Sequence, residues 1–261
     1  MDYDLTYSRN FGLFTKEQQD KLKKSKVLVA GVGGVGGIQA VTLARFGIGE
    51  LVIFDPGKYD EPDMNRQYGA MSSTIGEYKA KVMADIIQDV NPSIKIKHLC
   101  YAPEKEELFN LMKGCDIVVD AIEHICFTYK IEFAYTARKL NLYNLTAPIP
   151  SFGTMMIIFD PKGLTLESFS KAPDDKKIWD SYIIPWDEIV LKAPGMEALK
   201  SFRKRTIPYI ATCAGAAAIS GGILASEVAF ILSGLRHKKD IVCAPHVTCI
   251  DTLRREYVIT E

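Results

Sequence analysis

The sequence predicts an α/β fold: a mostly parallel sheet with helices on both faces. Three features predict it. Residues 26–55 read as strand, glycine-rich turn, helix and strand, which is one βαβ unit. Strand and helix patterns then alternate to about residue 147. After residue 150 the pattern changes to an apolar strand, a charged stretch, an Ala/Gly-rich helix and a closing hairpin.

Residues 15–24 begin with Thr15 as an N-cap and run polar at helical spacing. The apolar run from Lys26 to Gly31 reads as a buried strand. GVGGVGG (31–37) leads into the helical pattern IQAVTLARFG, and LVIFD (51–55) is a second buried strand that ends in an acid. Residues 56–78 form a turn-rich connection, long enough to suggest a role of its own. KAKVMADIIQDV is a helix stopped by Asn91-Pro92. IKIKHL (94–99) alternates as a strand, Glu104–Met112 is a helix, and CDIVVDAI (115–122) is a strand. YKIEFAYTARKL is a helix and LYNLTA (142–147) a strand.

In the second half, GTMMIIFD (153–160) is a strand before a turn. Residues 170–206 are charged and hold both tryptophans; they read as a surface excursion, partly helical at 187–204. Residues 211–234 could span a bilayer by length. Their Gly, Ala and Ser content, with Glu227 among them, predicts a buried helix instead. HVTCID (246–251) and REYVITE (255–261) close the chain as a hairpin.

The 261 residues carry 32 basic and 32 acidic side chains, a formal charge of zero. Such a balance supplies no field for DNA or an anionic membrane, and neither is expected as a partner. Cys100, Cys115, Cys126, Cys213, Cys243 and Cys249 form no CxxC pair, so no zinc site of the usual spacing is expected. Scattered thiols and a polar N-terminus without a signal-peptide pattern predict a cytoplasmic protein.

Gly31, Gly33 and Gly36 match GxGxxG between a strand and a helix. The first allows the tight turn, the second a close phosphate, the third helix-on-strand packing. The helix N-terminus offers free amides to an anion. Asp55 ends the next strand, where a carboxylate can accept from ribose hydroxyls. This motif does not choose among NAD, FAD and ATP. Arg66 and Lys79 lie in or just after the long connection, and two cations suit a triphosphate better than a dinucleotide. Glu123 follows the strand at 115–122, where a carboxylate can hold magnesium against phosphates. Taken one at a time, Arg66 and Lys79 read equally as surface charges and Glu123 as a helix cap. A nicotinamide-dependent oxidoreductase would keep the glycine turn and Asp55 but has no use for the other three as a set.

In this order, Tyr7-Ser8-Arg9-Asn10, KLKKSKVLVAGVGGVGG, LVIFD, MNRQ, IGEYK, NPSIKI and CDIVVDAIE resemble the ubiquitin-activating-like adenylyltransferases, the ThiF/HesA/MoeB superfamily. The resemblance is firm over residues 7–147 and weaker in 208–235 and CIDTLRREY. It implies a Rossmann-like sheet extended by antiparallel strands, with ATP and Mg2+ used to adenylate a carboxylate. The acceptor would be the C-terminus of a ubiquitin-like or sulfur-carrier protein or of a small peptide. A tRNA-base carboxylate, as in the dehydratase branch, is the alternative, and a silent partner subunit is a further class.

By the resemblance, Gly33 and Gly34 flank the phosphates and Asp55 holds the ribose. Arg66 and Lys79 bind the phosphates and stabilise the transition state, supported by Asn65 and Gln67. Arg9 reaches the ATP of a neighbouring subunit, so a homodimer is expected. Glu123 stands where the family has a magnesium-binding aspartate. Asp63 stands where many members have asparagine, and an acid there should weaken ATP binding unless it faces metal or solvent. The CxxC zinc pairs of many relatives are missing, as in the zinc-free branches. Cys126 and Cys213 are expected to be idle thiols, so no thioester-forming transfer is expected. The chain is expected to be one domain: residues 1–25 a helix and arm, 26–147 the nucleotide-binding half, and 148–261 an antiparallel extension. The excursion 170–206, with Trp179 and Trp186, is the expected acceptor-recognition surface.

Overall fold

The computed structural model describes residues 2–260. Eight strands form one sheet: β1 (Lys26–Ala30), β2 (Glu50–Phe54), β3 (Lys95–Leu99), β4 (Ile117–Asp120), β5 (Tyr143–Thr146), β6 (Gly153–Phe159), β7 (Thr248–Asp251) and β8 (Glu256–Ile259). Their spatial order is β3-β2-β1-β4-β5-β6-β7-β8. Strands β1 to β5 pair in parallel, and β6, β7 and β8 add antiparallel. From β1 the chain builds outward to β2 and β3, then returns to place β4 on the other side. The order therefore reverses between β1 and β4, and a crevice opens beyond the carboxyl ends of those strands.

The helices are α1 (Tyr3–Thr6), α2 (Lys16–Lys24), α3 (Gly36–Phe46), α4 (Lys79–Val90), α5 (Lys105–Met112), α6 (Phe127–Lys139), α7 (Leu166–Phe169), α8 (Trp186–Ile189), α9 (Met196–Arg203) and α10 (Ala214–Ser233). Side chains alternate along a strand, so each strand feeds two cores. Val27, Val29, Leu51 and Ile53 pack under α3, α4 and α10, while Leu28, Val52 and Phe54 pack against α5 and α6. Full burial of each such side chain contributes about 1.5–3 kcal/mol. The helix α2 starts with a capping box in which Thr15 and Gln18 satisfy each other's backbone.

Strand β6 is buried along its whole length. Met156 and Ile158 join the α10 side, whereas Met155, Ile157 and Phe159 form a third cluster with Leu166, Ile184, Trp186, Val190 and Leu199. The segment 170–206, expected as a surface excursion, is thus in part a covering layer on the sheet. Without it the second face of β6 would meet water.

Helix α10 is long and apolar enough to cross a membrane, and half of it is buried. It packs on α3, α2 and β6. Its Glu227 is buried and takes two bonds from Arg236, at 2.9 and 2.8 Å. At the other end of the chain, Tyr3 donates to the Gly47 carbonyl at 2.6 Å and Tyr7 to that of Ala44 at 2.8 Å. Both carbonyls lie at the C-terminal end of α3, so the arm is tied there.

Candidate functional site

The crevice at the ends of β1, β4 and β5 is a cleft of about 600 Å³. Gly31, Gly33 and Gly34 line it together with Asp55, Arg66, Gln67, Lys79 and Glu123. Trp186, Leu199, Tyr209, Ile210 and Thr212 line it too, so the covering layer reaches the site. A second depression, of about 660 Å³, lies beside β3 and α5; it is lined by Glu104, Glu106 and Glu107 and holds none of the motif residues.

The glycine turn is shaped by close packing. Gly31 has φ +83°, and a Cβ there would stand 2.4 Å from the Ala121 carbonyl oxygen. The turn therefore sits directly on the end of β4. At Gly33 and Gly34 a Cβ would meet Gln67 Oε1 and Arg66 Nε, each at 3.4 Å. Hence Arg66 and Gln67 lie over the turn, in front of the α3 N-terminus. The Asp55 carboxylate accepts from the Val32 amide at 2.9 Å and the Gly57 amide at 2.7 Å. Those bonds fix its aim, and each oxygen keeps a lone pair for a hydroxyl.

The long connection folds back by specific bonds. Lys58 bridges to Tyr78, and the Lys79 amide donates to the Gly57 carbonyl at 3.0 Å. Lys79 therefore returns beside Asp55 as α4 begins. A short 3-10 turn, Glu61–Asn65, carries Asp63, which is 9% exposed. Lys79 Nζ lies 3.0 Å from Asp63 Oδ2, and Arg66 Nη2 lies 3.7 Å from Asp63 Oδ1. The Gln67 side-chain amide also donates to Asp63. Asp63 thus faces the two cations. Asn65 Oδ1 accepts from Arg66 Nη1 at 2.8 Å, and Asn65 Nδ2 donates to the Thr212 carbonyl at 3.4 Å. Below Lys79 lies Tyr59, whose ring centroid is 5.7 Å from Nζ. Burial, then the charges of Asp55 and Asp63, push the Tyr59 hydroxyl well above its usual range.

Two carboxylates sit at the end of β4. Asp120 is buried, and its Oδ1 accepts from Lys130 Nζ at 2.7 Å and from the Ile122 amide at 3.1 Å. Glu123 has a side chain 61% exposed and pairs with the His124 ring. Its carboxyl is held down at about 2: partial burial raises it, but the hydrogen bond and charge of His124 outweigh that. Cys126, not Glu123, is the N-cap of α6. Burial, then the Glu123 charge, push the Cys126 thiol above its ordinary value. Cys213 caps α10, and its thiol lies 3.8 Å from the Ser151 carbonyl. Among the described residues no three His, Cys, Asp or Glu side chains gather as a metal-binding group.

Sequence reasoning missed Lys130. The signal was present, because Lys130 falls on the stripe Phe127, Lys130, Ile131 that packs inward. Arg9 is not brought to the cleft. It is exposed in the 3-10 turn Ser8–Asn10, in the arm tied to the far end of α3. That helix of 11 residues is roughly 16 Å long.

A profile of the ThiF family matches residues 7–255. The chain belongs to the ThiF family. This ThiF chain is 40% identical over 138 residues to a tRNA threonylcarbamoyladenosine dehydratase of Bacillus subtilis, covering 52% of the chain and 53% of that protein. It is 33% identical over 115 residues to the adenylyltransferase and sulfurtransferase UBA4 of Candida albicans, covering 44% of the chain and 26% of that protein. The matched region spans about half the length of the dehydratases it resembles, 53% and 55%. Among solved structures, Escherichia coli MccB with MccA-N7isoASN superposes with TM-score 0.73 at 20% identity, over 98% of this chain and 72% of that one. MccB with ATP gives 0.72 at 18% identity over 98% and 70%, and PaaA gives 0.72 at 16% over 99% and 73%. At these identities the superpositions show the fold.

Proposed function

We propose that this ThiF chain binds ATP and adenylates a carboxylate, releasing pyrophosphate. The observation that carries the reading is that Arg66, over the glycine turn, and Lys79, beside Asp55 and Gly57, line one cleft with that turn. An oxidoreductase would use the turn and Asp55 but leave the two cations without a task. An attacking carboxylate is already charged and needs no general base. Its oxygen bonds to the α-phosphorus as the bond to the pyrophosphate oxygen breaks. The work of the site is then alignment and charge neutralisation. In this reading Asp55 holds the ribose and Gly33 and Gly34 admit the phosphates. Arg66 and Lys79 take up the charge that builds on the departing pyrophosphate, while Asn65 and Gln67 hold the cations' surroundings.

Glu123 is the residue that would hold Mg2+. A single exposed carboxylate fits an ion that takes one or two protein carboxylates and completes its shell with phosphate oxygens and water. When bound, the ion would neutralise phosphate charge.

The acceptor in this reading is the C-terminal carboxylate of a peptide or small protein, entering past Trp186, Tyr209 and Ile210. The superposition on MccB, solved with MccA, over 98% of the chain supports it. A second reading, a carboxylate on a tRNA base, is supported by the 40% identity to the Bacillus subtilis dehydratase. The zero net charge favours the first. The proposal includes a cytoplasmic homodimer in which Arg9 serves the partner's cleft, since its own lies at the other end of α3. The elevated thiol of Cys126 supports a reaction that ends without a thioester on that residue.

The test is magnesium-dependent exchange of labelled pyrophosphate into ATP, with peptides and with carboxylate-bearing tRNA as acceptors. Exchange stimulated by a peptide supports the first reading and by the tRNA the second. No exchange with any acceptor, together with NAD binding, rejects both.

A further inference from the structure

A buried carboxylate lies against both Arg66 and Lys79. The Asp63 side chain is 13% exposed, and that of Lys79, 3.0 Å away, is 15% exposed. Its other oxygen meets the Gln67 amide and the Arg66 guanidinium. Asp60 adds a backbone amide at 3.3 Å. One carboxylate thus touches Arg66, Gln67 and Lys79, all of which line the cleft.

We propose that Asp63 is a positioning residue, the counter-ion that aims Lys79 and Arg66 and limits the positive charge they offer to a bound phosphate. Two cations and one anion leave one net positive charge. An ammonium has three donors, so Lys79 can bind a phosphate oxygen while Asp63 still holds it. Held from behind, Lys79 cannot follow the phosphates of the resting nucleotide. Its contact strengthens when negative charge builds on the leaving pyrophosphate. Loss of the Asp63 charge should therefore tighten anion binding and slow turnover. The affinity part stands on geometry and charge alone; the turnover part rests on the adenylation reading.

Inorganic pyrophosphate is titrated calorimetrically into the wild type, Asp63→Asn and Asp63→Glu, and ATP–pyrophosphate exchange is measured on the same proteins. Asp63→Asn keeps the shape and removes the charge. It is expected to bind pyrophosphate about tenfold tighter, the scale of one nearby charge in a partly solvated site. Its KM for ATP and its kcat should both fall, a pattern that a loosened site does not give. Asp63→Glu keeps the charge and should keep wild-type affinity. Unchanged or weaker pyrophosphate binding by Asp63→Asn, or a lower kcat with a raised KM, overturns the proposal. If Asp63→Asn does not fold, tighter pyrophosphate binding by Asp63→Glu overturns it instead. A wild type without exchange rejects the adenylation reading, while the pyrophosphate titration still decides on Asp63.

Discussion

The backbone of Gly36 lies so close to that of Gly31 that a Cβ on Gly36 would stand 1.9 Å from the Gly31 carbonyl oxygen. The start of α3 is thereby clamped to the end of β1. Gly36→Ala should force the two apart and destabilise the fold by about 1–3 kcal/mol or more, the scale of overpacking. The contrast is Gly222→Ala in α10, where a Cβ meets nothing within 4 Å. There the gain in helix propensity should stabilise by about 0.5–1 kcal/mol. Urea unfolding of both variants checks the pair of signs.

Arg66→Ala and Lys79→Ala should each raise the adenylation barrier by about 2–4 kcal/mol, the scale for a lost charge-stabilising donor. Asp55→Ala should mainly raise the KM for ATP. Exchange kinetics on the three variants separate these effects. An unchanged rate for Lys79→Ala would remove it from the mechanism.

Arg9 and Lys79 belong to different clefts if the dimer forms as proposed. Mixed dimers of Arg9→Ala with Lys79→Ala should then recover part of the activity that each variant alone lacks. Dilution below the dimer's dissociation constant should abolish it. Mixtures as inactive as their parents would place Arg9 outside the partner's cleft.

Lys130 and Asp120 form a buried ion pair at 2.7 Å, with side chains 7% and 2% exposed. Lys130→Met leaves a buried charge unpaired and should cost about 3–5 kcal/mol. Adding Asp120→Asn should restore part of that loss. Denaturant titration of the single and double variants measures the coupling.

Cys126 is exposed, yet its thiol is raised by burial of the sulfur and by the Glu123 charge. A raised thiol stays protonated to higher pH, so its alkylation should speed up at higher pH than in the urea-unfolded chain. Mass-spectrometric alkylation rates across pH, read at the peptide holding Cys126, give the two midpoints. A lower midpoint in the folded protein would restore Cys126 as a candidate nucleophile.

The parallel half was legible because its strands are continuous apolar runs, KVLVA, LVIF and IVVD, ended by Gly31, Asp55 and the Asp120 loop. Runs of that kind signal burial on both faces. The cover over β6 was not legible. Its apolar residues, Ile184, Trp186, Val190 and Leu199, are spread over short helices and loops with no period to follow. Only the second face of β6, which would otherwise meet water, gives them a place. Within the cleft, Arg66 and Lys79 stood out in the sequence because they lie in and just after the long connection that follows Asp55. The contacts of Asp63 were not legible, because ion pairs across a folded-back loop leave no mark in local sequence.

The most direct test of the central claim is the structure of the chain crystallised with ATP and magnesium. The triphosphate should lie over Gly33 and Gly34, within hydrogen-bond reach of Arg66 and Lys79, with the ribose on Asp55. A cleft that stays empty at saturating ATP, or that accepts a nicotinamide dinucleotide in its place, would contradict the account.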